Sequence, residues 1–221
     1  RDVHKTDRKI DYNNIYDLDR IRMDDTNEGG VALTYGYEHS ITEKSSSEEK
    51  IKFGFANNLR FDENKDLPGN SNLGDEVSDF VGVFNYKPNE NLKFDYNFSL
   101  KNNLSDTNYE LYGFEFYLKN LSTKFEYLNE NNSNSKTSYL QNETRYAFND
   151  KNSLIFETRE NKEKNFTEYY NLIYQFQNDC LTAAIEYNKE YYSDQDLKPS
   201  ENLFFKLSIL PFGGFNTPNL K

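Results

Sequence analysis

The sequence predicts an all-β protein: an antiparallel up-and-down transmembrane β-barrel, to which this chain contributes about eleven meandering strands. Three observations carry the prediction. Apolar residues recur at every second position, the alternating segments run for roughly 9 to 12 residues, and short turns alternate with longer polar loops. Eighteen Tyr and eighteen Phe among 221 residues make the apolar positions large and aromatic. The strands are therefore expected to form part of a larger barrel.

The alternation is clearest in three segments, at 31–41, 51–61 and 92–101. In the first segment, Leu33 and Tyr35 alternate with small or polar residues. Because successive side chains of a strand point to opposite faces, each segment has one apolar and one polar face. Further strands are expected at 77–87, 109–118, 121–129, 137–148, 153–160, 166–177, 181–192 and 202–210.

The segment at 77–87 has the weakest alternation. Phe80 and Phe84 share one face of the predicted strand. Val81 and Val83 occupy the other face, which is polar or small in the clearest segments.

Segment length and the spacing of the turns both favour a membrane barrel. Strands of soluble proteins are usually about 5 to 6 residues long, whereas a tilted strand needs about 9 to 11 residues to cross a bilayer. The short turns are Pro88–Asn91, Lys119–Asn120, Asn149–Asn152 and Asn178–Asp179. The longer loops fall at 62–76, 102–107, 130–136, 161–165 and 193–201. This asymmetry assigns the short turns to the periplasm and the longer loops to the cell exterior, with the link at 42–50 as the exception.

Three regions follow from this pattern. Residues 1–30 are expected to form an extracellular loop segment, residues 31–210 the barrel strands, and residues 211–221 a C-terminal tail. An odd, incomplete set of strands leaves two open edges, so further strands are expected from chain outside this sequence. The face that lines the lumen is expected to be polar. Its charged residues are Lys52, Arg60, Lys93, Asp95, Glu110, Glu115, Glu186 and Lys206.

Composition and motifs disfavour several classes of function. The formal net charge of −11 offers no basic surface for nucleic acid. No apolar run approaches the roughly 18 residues of a transmembrane helix. Neither His4 nor His39 has a partner at metal-ligand spacing, and no glycine-rich phosphate loop follows a strand. We therefore predict no catalytic residue, no metal site and no cofactor, and we do not expect an enzyme.

Cys180 is the residue whose chemistry stands out. It follows the short turn at Asn178–Asp179, which the order of turns and loops assigns to the periplasm, an oxidising compartment in which cysteines tend to pair. Two interpretations stay open. Cys180 is either an inert small residue at a strand end or the bonding partner of a cysteine outside this sequence.

Two stretches carry a family resemblance. The first is residues 14–21, Asn-Ile-Tyr-Asp-Leu-Asp-Arg-Ile, continued by Asp25, Glu28-Gly29-Gly30 and Leu33-Thr34-Tyr35-Gly36. The second contains Tyr174, Asn178-Asp179-Cys180, Glu186-Tyr187, Pro199, Phe204, Leu207, Ile209 and Gly213. Together they bracket nearly the whole chain, and they resemble the LptD family of outer-membrane lipopolysaccharide (LPS) assembly proteins, also called organic solvent tolerance proteins (OstA).

The resemblance implies a protein that receives LPS from a periplasmic bridge protein (LptA-like), through an N-terminal domain outside this sequence, and inserts it into the outer leaflet. It also implies a lipoprotein (LptE-like) that plugs the barrel. Cys180 would bond to a cysteine of the N-terminal domain, by at most one bridge, since many members carry adjacent cysteines here and this sequence has one. The strand at 202–210 would be the last and would border the seam through which lipid leaves. Its candidate seam residues are Leu203, Phe205, Leu207 and Ile209.

Insertion of LPS by an integral protein of the Gram-negative outer membrane is thus the leading hypothesis. Two other classes stay open on the strand pattern alone. A passive porin-like or other outer-membrane transport barrel shares the same strands and loops. A soluble all-β protein would need a second sheet to cover the rows of Phe and Tyr.

Overall fold

The computed structural model describes residues 10–18, 20, 28–67, 71–131, 136–191, 199–209 and 213–216. These residues form β-strands joined by turns and loops. None of them belongs to a helix with the length and apolarity that crossing a membrane requires. The strands are β1 (Ala32–Thr42), β2 (Glu49–Arg60), β3 (Phe80–Asn89), β4 (Leu92–Leu100), β5 (Thr107–Leu118), β6 (Leu121–Asn131), β7 (Lys136–Asn149), β8 (Asn152–Asn161), β9 (Phe166–Gln177), β10 (Leu181–Glu190), β11 (Ser200–Ile209) and β12 (Gly213–Asn216).

The strands belong to one antiparallel sheet whose spatial order, from β1 to β12, is the order along the chain. The register is regular over long stretches: between β1 and β2, Leu33 lies opposite Leu59 and Tyr37 opposite Phe55. Such pairing is what consecutive strands joined by turns produce. The predicted all-β, antiparallel, up-and-down fold is therefore confirmed, and the linear strand order is consistent with part of a barrel wall.

The predicted strand ends lie within two residues of the observed ones, except that β3 begins at Phe80 rather than at 77. A β-bulge precedes it. Ser78 pairs with Asn58 while the regular ladder resumes at Val81, so that one extra residue is inserted into this side of the ladder. The side-chain amide of Asn57 donates to the carbonyls of Ser78 (2.8 Å) and Asp79 (3.2 Å), and thereby satisfies groups that the bulge removes from the ladder.

The C-terminal end differs from the prediction. Gly213–Asn216 forms β12, which pairs with residues 206–209 of β11, inside the segment that we expected to be a tail. The strand at 202–210 is accordingly not the last one. A four-residue strand that begins with two glycines is too short to show an alternation of apolar and polar residues.

The chain divides into two compact units. In both, one face of the sheet carries exposed Tyr, Phe and Leu, such as Tyr35 in the first unit and Tyr174 in the second. We call this the outer face of each unit and the opposite one its inner face. The first unit comprises Arg1–Gly113 and Tyr127–Ser138, and the second Phe114–Glu126 and Tyr139–Lys221.

The two valines that weaken the alternation of β3 lie on the inner face of the first unit. Val81 and Val83 are buried there, together with Ile10 and Ile15 from the segment that precedes β1. The apolar residues on the second face of β3 are thus explained by the chain that precedes β1, which covers them.

Candidate functional site

The inner face of the first unit holds an apolar cluster beneath residues 10–18, which we call the inner segment. Ile10 and Ile15 are fully buried in this cluster. Burial of one such side chain stabilises a structure by about 1.5–3 kcal/mol. The cluster joins the inner segment, the loop after β2 and the two strands β2 and β3. Its members are Ile10, Tyr12, Ile15, Ala56, Leu67, Leu73, Val81 and Val83.

Two glycines of the inner face allow the inner segment to approach the sheet closely. A Cβ atom added at Gly54 would overlap the ring of Tyr12, and one added at Gly36 would overlap the hydroxyl of Tyr16. The two tyrosine rings contact each other edge to face, with centroids 6.1 Å apart. Glycine weakens the interior of a strand, and its presence there often marks a place where other atoms approach the backbone closely. At these two positions the approaching atoms belong to the tyrosines.

A polar contact fixes the position of Tyr12. Its hydroxyl donates to Glu38 Oε2 (2.7 Å), and Lys52 Nζ lies 3.0 Å from the same oxygen. Burial, with a further contribution from the hydrogen bond to Glu38, raises the pKa of the Tyr12 hydroxyl. A tyrosine hydroxyl is protonated at neutral pH, so it serves as the donor in this hydrogen bond.

At the end of β2, the guanidinium of Arg60 joins three parts of the chain. It donates to Glu28 Oε1 (2.9 Å), to the carbonyl of Gly29 (2.8 Å) and to the carbonyl of Leu73 (3.2 Å). The side chains of Arg60 and Glu28 are only 1% and 7% exposed, so this ion pair is buried. Arg20 Nη1 lies 3.5 Å from the same Glu28 oxygen, and burial lowers the pKa of the Arg20 guanidinium.

Asp79 is a fully buried carboxylate in the bulge before β3. It accepts hydrogen bonds from Asn72 Nδ2 (2.7 Å), Ser99 Oγ (3.1 Å) and Asn108 Nδ2 (2.6 Å). Burial raises its pKa, and the three hydrogen bonds oppose that shift. Asp79 thus links the loop after β2 to β4 and β5.

Among the described side chains, no group of three or more His, Cys, Asp and Glu is placed to hold a metal ion.

Cys180 lies exposed in the turn between β9 and β10 with a free thiol. Asn178 shapes this turn: its Oδ1 accepts hydrogen bonds from the backbone amides of Cys180 (3.0 Å) and Leu181 (2.8 Å). The backbone amide of Asn178 donates in turn to the carbonyl of Leu181 (2.9 Å). The turn is therefore held without the thiol, and pairing of Cys180 stays a prediction.

The four candidate seam residues share the outer face of β11. Their partners on β10 have the same orientation, as in the pair of Phe205 with Ile185. On the other side of β11, β12 pairs with residues 206–209. Among the described residues, those at 200–205 have only β10 as a partner strand. The role of β11 in a seam stays a prediction. The candidate residues are Leu203, Phe205, Leu207 and Ile209.

One residue of the predicted lumen set lies on the other face. Lys52 and Asp95 occupy the inner face, since each alternates with outer-face aromatics. Glu110, by contrast, accepts hydrogen bonds from the hydroxyls of Tyr96 (3.1 Å) and Tyr112 (3.2 Å), whose rings stack on the outer face. The prediction for Glu110 was wrong because this residue is two positions from Tyr112 and shares its face.

The chain is an all-β protein with one sheet of consecutive antiparallel strands, an aromatic outer face and a more polar inner face, an arrangement consistent with part of a β-barrel wall. A family model described as LptD: LPS transport system D matches residues 5–152, and the chain belongs to this family. The family is one of outer-membrane transport and assembly proteins. Membership thus ties the chain to LPS transport. No curated protein matches the chain.

The matched region covers the inner segment and β1–β7, and it includes the first stretch that carried the resemblance. The second stretch, from Tyr174 onward, lies beyond the match and stays a prediction. Residues of the first stretch make the inner-face contacts described above. These are Ile15, Tyr16, Arg20, Glu28 and Gly36. Outside the described residues lie Asp19, Ile21 and Asp25.

The contacts of the inner segment were missed at the level of sequence. Residues 1–30 suggested a polar loop, and nothing in them indicated which face of the sheet they meet. The one available signal was the pair Val81 and Val83. Their apolar side chains lie on the second face of the strand and need other residues to shield them from water. Placement of this segment on the extracellular side stays a prediction.

We expect Glu28→Gln to lower the free energy of unfolding by about 3–5 kcal/mol, because it leaves the buried Arg60 guanidinium without its counter-charge. Urea-induced unfolding of the full-length protein in detergent measures the change. Asp106→Asn is the matched control, since it removes the exposed ion pair with Lys101 (3.3 Å) and should cost about 0–1 kcal/mol. Equal losses for the two variants would contradict the role assigned to Glu28.

Proposed function

We propose that the protein is an integral β-barrel component of the Gram-negative outer membrane that inserts LPS into the outer leaflet. The observation that carries the proposal is the two-faced sheet in a chain of the LPS-transport family. Only closed barrels and helices satisfy backbone hydrogen bonds inside a bilayer, and a barrel wall needs an apolar outer face. The exposed Tyr, Phe and Leu of both units meet that need.

The inner faces support a water-filled interior. In the second unit, the guanidinium of Arg159 lies 5.4 Å from the Tyr139 ring centroid and 5.5 Å from that of Tyr169. Lys206 forms an ion pair with Glu186 on neighbouring strands. Charged groups on this face remain hydrated only if water reaches them, as in the lumen of a wide barrel.

The proposal includes two protein partners and a lipid exit. A lipoprotein of the LptE kind would occupy the polar lumen, and a bridge protein of the LptA kind would deliver LPS through an N-terminal domain outside this sequence. Lipid would leave beside β11, whose pairing with β12 spans residues 206–209 in the described part of the chain. The short pairing supports this exit, because fewer hydrogen bonds must break for these two strands to separate.

The proposal also assigns a disulfide to Cys180. The exposed thiol in the turn between β9 and β10 is open to a second chain segment. The turn is shaped by Asn178, so a bond at the sulfur leaves its hydrogen bonds intact.

Depletion of the protein from its native cells is expected to lower the amount of LPS in the outer leaflet, and expression of the full-length native protein is expected to restore it. Antibody labelling of LPS on intact cells measures the amount. Labelling of an unrelated outer-membrane protein provides the control for general damage. Unchanged LPS labelling after depletion would contradict the proposal and would favour the porin-like alternative.

Cys180→Ser is expected to change the mobility of the full-length protein in non-reducing electrophoresis, because loss of the bridge lets the denatured chain expand. The difference should vanish after reduction. Thr182→Ser, two residues away on β10, is the matched control and should migrate like the native protein. Identical mobility of Cys180→Ser and the native protein would refute the disulfide.

A further inference from the structure

We propose that the inner segment, residues 10–18, closes part of the barrel lumen beside β1–β3 and thereby restricts the passage of small ions and solutes. The inference rests on the proposed function for one point only, that the inner face lines the lumen. The contacts between the segment and the sheet support the rest of it.

The inner face of the sheet is shaped to fit the inner segment. Gly36 and Gly54 lie on neighbouring strands and leave the backbone bare where the two tyrosines rest on it. Gly113, on the inner face of β5, provides a contrast: a Cβ atom added there would have its nearest neighbour at 3.5 Å, in ordinary contact. Glycine is thus sterically required under the tyrosines and is not required at Gly113.

The segment is held at several points along its length. The backbone amide of Ile10 donates to Ser71 Oγ (2.8 Å), and the hydroxyl of Tyr12 donates to Glu38 Oε2 (2.7 Å). Ile15 is fully buried, and its backbone amide donates to the carbonyl of Asp11 (3.0 Å), which closes a turn within the segment. A chain fixed by both polar and apolar contacts keeps one position instead of sampling the lumen.

An apolar patch on the sheet also explains why the segment stays in a polar interior. Ala56, Val81 and Val83 form an apolar patch on a face that otherwise carries polar groups such as Lys52. Loss of the segment would expose this apolar patch to the water of the lumen, which is unfavourable. The closed arrangement is therefore the stable one.

The experiment is a conductance measurement on the full-length protein in planar lipid bilayers. Tyr12→Ala combined with Ile15→Ala removes a contact to Gly54 and an apolar anchor, and we expect a several-fold rise in ion conductance over the native protein. Tyr169→Ala is the control, because it removes an inner-face tyrosine that is not part of the segment and should leave conductance near the native value. Equal conductance of the native protein and the double variant would overturn the inference.

Electrophoresis of unboiled samples shows whether each protein is a folded barrel. If the native protein taken from lipid does not migrate as a folded barrel, the proposed function fails. If the native protein and the double variant are both folded and conduct equally, only the inference drawn here is refuted.

A second measurement covers the case in which the double variant does not fold. Gly54→Ala should lower the free energy of unfolding in the native background and should cost much less in a Tyr12→Ala background, where the ring is gone. Gly113→Ala should behave alike in both backgrounds. An equal cost of Gly54→Ala in the two backgrounds would show that Tyr12 does not rest on this glycine, and would overturn the inference as well.

Discussion

The register of β2 against its two neighbours is the constraint on which the rest of the structure depends. It sets Phe55 opposite Tyr37 and Phe53 opposite Phe84, and so collects aromatic rings on the outer face. Because side chains alternate along a strand, a slip by one residue would move these rings inward. The same slip would turn Lys52 outward and remove Gly54 from beneath Tyr12. One set of backbone hydrogen bonds thus decides both the aromatic outer face and the inner-face site.

The inner-face site gives a structural reason for much of the first family-like stretch. Gly36 leaves room for the hydroxyl of Tyr16, and Ile15 is buried in one apolar cluster with Val81. Gly54 leaves room for the ring of Tyr12, just before this stretch. The buried pair of Arg60 and Glu28 joins the end of β2 to the chain that precedes β1. A buried ion pair contributes little net stability, but breaking it is costly, so its main effect is to fix one arrangement of the loops.

The strands were predictable from sequence because each is long and alternates on its own, without information from distant residues. The inner segment was not predictable, because Ile10 and Ile15 show no period and their partners lie far along the chain. The charge of Glu110 did not predict its face, because a residue two positions from Tyr112 shares the face of Tyr112 whatever its charge. The short β12 was missed because four residues are too few to show an alternation of apolar and polar side chains. No local pattern predicts the contacts of Cys180 beyond its own turn.

The central claim, that one face of this sheet meets lipid and the other meets water, is tested most directly by nitroxide labels at single cysteines along β10. Labels at consecutive positions 183–188 would be placed in a background of the full-length protein in which Cys180 and any other native cysteine are replaced by serine, in lipid vesicles. The account predicts that positions 183, 185 and 187 are accessible to oxygen, which partitions into lipid, and that 184, 186 and 188 are accessible to a water-soluble nickel chelate. Accessibility without a period of two, or with the opposite phase, would contradict it.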